Sequence, residues 1–106
     1  MQSEADLYLL WSAQRALLGQ VTLGLRSVSF DRTDRTISAL AVFEREPDDE
    51  ARGLVSDAFG EVIADYVDET LDEKIIVSAA DLRSLNLRLL AYQRHEPAGG
   101  QSGEDI

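Results

Sequence analysis

Between Ala51 and Val67 the apolar residues return every three or four positions: Ala51, Leu54, Val55, Ala58, Phe59, Val62, Ile63, Tyr66 and Val67. That period matches one face of an α-helix and not the alternation of a strand. Pro47 suits a first helical turn, and Asp48, Asp49 and Glu50 complement the positive end of the helix dipole, so a helix is predicted over 47–67. Gly53 and Gly60 oppose it by about 1 kcal/mol each relative to Ala. Burial outweighs them, because each fully buried Val, Leu, Ile or Phe contributes about 1.5–3 kcal/mol. The rest of the chain must therefore supply an apolar surface that covers this stripe.

A second helix is predicted over residues 3–20. Leu7, Leu10, Trp11, Gln14, Leu17, Leu18 and Val21 keep helical spacing with one polar interruption. Ser3 and Asp6 have capping-box spacing, and Gly19 and Gly24 lie near the far end, where a left-handed cap can form. Four runs read as strands. Residues 26–32 alternate, with Val28 and Phe30 on one face, and residues 36–45 follow after the polar turn Thr33-Asp34-Arg35. The second run is apolar on both faces, Ile37, Ala39, Ala41 and Phe43 against Leu40 and Val42, as in a central strand or one covered by a partner. Leu71, Glu73, Ile75 and Val77 alternate with Asp72, Lys74, Ile76 and Ser78. Over 85–94, Leu85, Leu87, Leu89 and Ala91 point inward, with Asn86, Arg88, Leu90, Tyr92 and Arg94 outward. Short links favour hairpins, so the expected fold is α+β: a four-stranded antiparallel sheet with two helices on one face, in the order α-β-β-α-β-β. Residues 1–95 form one domain, and 96–106 (EPAGGQSGEDI) a disordered polar tail.

Composition removes several classes of function. The chain has no Cys, so disulfides, thiolate metal sites and thiol nucleophiles are excluded. No apolar run approaches the length of a membrane span, and no basic-then-apolar leader is present, so a cytoplasmic location is expected. The formal net charge of −10 repels nucleic acid and anionic membranes, which leaves cationic partners. His95 is the sole histidine, at the edge of the tail without positioned carboxylates, and makes a poor general base. No Ser-His-acid set and no phosphate-binding glycine loop can be drawn, and no cofactor is implied.

The acids are unevenly placed. From Glu46 to Glu73 there are 11 carboxylates and one base, Arg52, so this segment carries the whole net charge of −10. Asp57, Glu61, Asp65 and Glu69 repeat every four residues, which makes a column if the helix reaches that far. Like charges at that spacing destabilise a helix by about 0.2–0.5 kcal/mol per pair. Three readings compete: a solvated face of an acidic protein, a docking face for a basic protein, and a divalent metal site that lacks the loop of a dedicated calcium site. Tyr66 and Asp68 belong to the docking reading. Trp11 with Tyr8 could anchor a partner, but helical spacing favours Trp11 in the core. Leu40, Val42, Leu90 and Tyr92 could form a dimer face on an open side of the sheet.

Ala16-Leu17-Leu18-Gly19-x-Val21-Thr22, Leu25-Arg26-x-Val28, Glu61-Val62-Ile63-Ala64-Asp65 and Arg88-Leu89-Leu90-x-Tyr92-x-Arg94 resemble a group of small bacterial proteins of about this length. The similarity runs over residues 5–95. Its members look like immunity proteins of polymorphic or contact-dependent inhibition toxin systems, which neutralise a cognate toxin by binding it. The resemblance implies a non-enzymatic binding protein, with a basic partner such as a nuclease toxin domain. Asp57, Glu61, Asp65, Asp68 and Glu69 would supply the electrostatics and Tyr66 an anchor. The rival expectation is a homodimeric structural or regulatory domain with no toxin partner.

Overall fold

The computed structural model describes residues 3–96. In chain order these are α1 (Glu4–Leu17), β1 (Leu25–Thr33), β2 (Thr36–Phe43), α2 (Asp49–Ala64), β3 (Thr70–Val77), α3 (Leu82–Leu85) and β4 (Leu89–Gln93). Of the expected tail only Glu96 lies within the described residues. Local sequence explains the helix ends. Ser3 Oγ accepts from the Asp6 amide at 3.1 Å while the Asp6 carboxylate accepts from the Ser3 amide at 3.2 Å, a closed capping box. Gly19, at φ +79°, turns the chain away after α1. Asp48 caps α2 by accepting from the Ala51 amide at 2.8 Å.

The four strands form one sheet in the order β3-β2-β1-β4. β1 and β2 are the expected hairpin, closed where Thr33 faces Thr36, with Asp34 in the left-handed region at φ +56°. The sheet is not wholly antiparallel. β3 runs parallel to β2, from Thr36 opposite Thr70 to Phe43 opposite Val77. The reason is α2, which carries the chain back along the sheet before β3 begins, as a parallel neighbour requires. β3 and β4 lie on opposite edges, so the second hairpin expected from the sequence does not exist. Residues 78–88 link them beneath the sheet instead.

That link supplies the second correction, a third helix. Asp81 caps α3 by accepting from the Arg83 amide at 3.0 Å. Leu82 covers Leu40 and Val42 of β2, with Ile76, Leu85 and Leu87 at the margin. Leu85 and Leu87 pack on this far face, so β4 begins at Leu89 and not at Leu85. Two buried serines of β1 pin the link: Ser27 Oγ donates to Asn86 Oδ1 at 2.7 Å, and Ser29 Oγ accepts from the Leu87 amide at 2.8 Å.

α1 and α2 both lie on the other face. Leu9, Ala13, Ala16 and Leu17 of α1 and Val55, Ala58, Phe59 and Val62 of α2 pack on Val28, Phe30, Ile37, Ala39, Ala41, Phe43 and Leu89. Phe30 meets Phe59 edge-on at 5.6 Å. Two irregularities in the pairing redirect side chains. Between Leu25 and Ser27 the ladder slips at Arg26, and between Val28 and Ser29 it slips at Ala91 of β4. The second slip sets Tyr92 opposite Val28, so Tyr92 packs on the helix-side core instead of pointing outward.

A candidate protein-docking surface

α2 ends at Ala64, with Asp65 as its C-cap, so the acidic column is shorter than the four-residue repeat suggested. Asp57 and Glu61 are exposed on the helix, one turn apart. The Asp65 carboxylate accepts from Ser12 Oγ of α1. Glu69 leaves the column altogether: it precedes β3, and Arg32 of β1 donates to its carboxylate. Asp68 is exposed in the turn between them. Tyr66 is half-buried against the core with its ring edge-on to Tyr8 at 6.0 Å, and burial pushes its phenol pKa above the ordinary value.

Ion pairing sharpens this distribution. Arg26, Arg32, Arg52, Arg88 and Arg94 each meet a carboxylate. Among the described residues Asp57, Glu61 and Asp68 have no cationic partner within salt-bridge distance. The field over the outer side of α2 is therefore left uncompensated by the chain itself. Arg88 is tied down on the helix side of β4, donating to both oxygens of Asp6 at 2.8 and 3.1 Å and to Asp31 at 3.0 Å. Its guanidinium holds the Asp6 carboxyl down at about 2. Among the described residues no group of three or more His, Cys, Asp or Glu is placed to hold a metal ion. No helix there is long and apolar enough to cross a membrane.

The largest departure from the sequence reading lies on α1. The side of the helix that faces the sheet carries Leu9, Ala13, Ala16 and Leu17, and the buried Ser12 sits beside α2. Leu10 and Leu17 pack on the core as expected, but three bulky residues assigned to it face outward, Leu7 at 54% exposed, Trp11 at 56% and Leu18 at 78%, with Tyr8 beside them at 47%. Trp11 is thus a surface residue, tilted against Tyr8 at 6.4 Å with the Arg15 guanidinium 5.0 Å over its ring. This exposed row meets the acidic side of α2 where Ser12 bonds Asp65 and Tyr8 touches Tyr66. One sequence signal pointed to it. α1 carries more apolar residues than one face can bury, so some had to be left outside.

The four residues of the suggested dimer face are not brought together. Leu40 and Val42 are buried beneath α3, Tyr92 is turned to the helix side, and Leu90 alone is exposed on the far face. The cover that strand 36–45 needed on its second side comes from the chain's own link. His95 is exposed.

No curated protein matches the chain. The family model described as MafI2 immunity protein matches residues 6–96, a span that takes in most of α1 and all of the elements that follow it. With a match over that much of its length, the chain belongs to the MafI2 immunity protein family.

Proposed function

We propose that the chain neutralises a cognate bacterial toxin by binding it through the acidic outer side of α2 and the turn that follows. The family match over residues 6–96 carries the toxin-neutralising part of this reading. The uncompensated carboxylates of Asp57, Glu61 and Asp68 supply its chemistry, with Asp65 at the border with α1. The partner they suit is a basic protein surface, such as the cationic substrate site of a nuclease toxin domain. Neither nucleic acid nor an anionic membrane suits such a field. The chain acts by occupancy: it blocks or occludes the toxin and performs no chemistry of its own.

The test uses the cognate toxin domain, to be sought in the reading frames that adjoin this chain's gene. Co-expressed with it, the chain should restore growth, and the purified pair should associate more slowly as salt rises. Asp57→Lys combined with Glu61→Lys should cut the association rate about tenfold or more at low ionic strength. Full protection by the doubly reversed variant, with a salt-independent association rate, would show that these acids serve solubility alone.

A further inference from the structure

We infer that the outward row of α1, Tyr8 and Trp11 flanked by Leu7 and Leu18, is the anchor of the toxin interface and seats in an apolar pocket rimmed by Lys or Arg. This rests on the toxin-neutralising reading and names the chemistry of the partner's surface.

Leu7 and Trp11 lie one turn apart on one side of α1, and Leu18 is the residue that caps its C-terminal end. Single exposed apolar residues are ordinary, but Leu7, Tyr8 and Trp11 adjoin within about one turn, two of them aromatic, and Leu18 is exposed at the end of the same helix, which marks an interaction surface. The aromatic pair is held in place before any partner arrives. Tyr8 is braced edge-on by Tyr66, and Trp11 is fixed between Tyr8 and Arg15. Side chains ordered beforehand lose little freedom on binding, and Trp and Tyr are enriched among residues whose truncation strongly weakens interfaces.

Charge complementarity selects the occupant. The row borders the negative side of α2 at the Ser12–Asp65 hydrogen bond, so a partner covering both must be apolar opposite α1 and cationic opposite α2. A second copy of this chain would set one acidic helix near another and bring together two molecules of charge −10. A bilayer of anionic lipid is repelled for the same reason.

The experiment measures affinity for the same cognate toxin domain, by surface plasmon resonance, together with the sedimentation behaviour of the free chain. Trp11→Ala should weaken binding about 30-fold or more, chiefly through faster dissociation. Tyr8→Ala should act in the same direction. Leu90→Ser, an exposed apolar change on the far face, should leave affinity unaltered. Because Trp11 is exposed, its variant should keep the melting temperature of the parent to within about 2 °C. Unchanged affinity in both aromatic variants overturns this inference and leaves the toxin-neutralising reading standing. Failure of the unaltered chain to bind overturns both. A free chain that sediments as a dimer, and as a monomer after Trp11→Ala, assigns the row to a second copy and overturns the inference.

Discussion

Arg26 shows how one residue can tie distant segments of the chain together. It sits at the slip in the β1–β2 ladder and is buried, with its guanidinium donating to the carbonyls of Ser78 and Ala80 at 2.7 and 3.0 Å. The remaining donors reach both oxygens of Glu96 at 2.9 Å, and Arg94 adds a third bond to that carboxylate at 3.0 Å. Arg26 chiefly, helped by Arg94, holds the Glu96 carboxyl at about 2, below its ordinary value of 4.5. A folded-state value below the unfolded one means the stabilisation is complete above pH 4.5 and is lost as pH falls toward 2. Asp6, held at about 2 by Arg88, weakens over the window from 3.8 downward. Glu96→Gln should therefore cost about 2–3 kcal/mol at neutral pH, since it leaves a buried guanidinium under-compensated. It should also flatten the acid limb of stability between pH 4.5 and 2, as urea titrations across that range would show. An acid limb identical to the parent's would show that the pair contributes nothing. The sequence pointed only to residues 96–106 as a tail, because a pair 70 residues apart leaves no local pattern.

α3 has only four residues, yet it decides what the far face of the sheet can do. Leu82 closes over Leu40 and Val42, and without it β2 would present both to solvent. Leu82→Ala should destabilise the fold by about 2–3 kcal/mol, measured as a lower urea midpoint with an unchanged slope. A loss under about 0.5 kcal/mol would show the link to be an idle cover. Both long helices were legible as helices, since capping chemistry and the 3.6-residue period are local properties. The buried face of α2 was legible too, because its stripe is flanked by charge, except that the helix stops at Ala64 and Val67, expected on the stripe, is 96% exposed beyond it. That of α1 was not. Apolar residues surround it, and the choice of Leu9, Ala13 and Ala16 over Leu7, Trp11 and Leu18 belongs to the sheet and to α2, which the small Ala13 and Ala16 let the helix approach closely.

At the scale of the molecule, the net charge of −10 has opposite effects on the free and bound states. Within the free chain the acids of α2 repel one another, and a basic partner would relieve that repulsion. Raising NaCl from about 20 mM to about 500 mM should therefore raise the melting temperature by about 3–5 °C, as screening shortens the reach of like charges. The same change should slow association with the toxin. A melting temperature that falls with salt would mean the ion pairs of Arg88, Arg94 and Arg26 outweigh the repulsion.

The sequence by itself determined the α+β class, the capping box of α1, the β1–β2 hairpin, the buried stripe of α2 and the segment that holds the charge. Each is set by neighbours within a few positions or by simple counting. Tertiary structure alone decided that β3 runs parallel to β2, that residues 78–88 close the far face, that Tyr92 turns inward and that Trp11 turns outward. Those outcomes depend on which apolar surfaces meet across the sheet. A helix with two apolar sides, or a strand with two, does not specify its neighbour until the whole chain has packed.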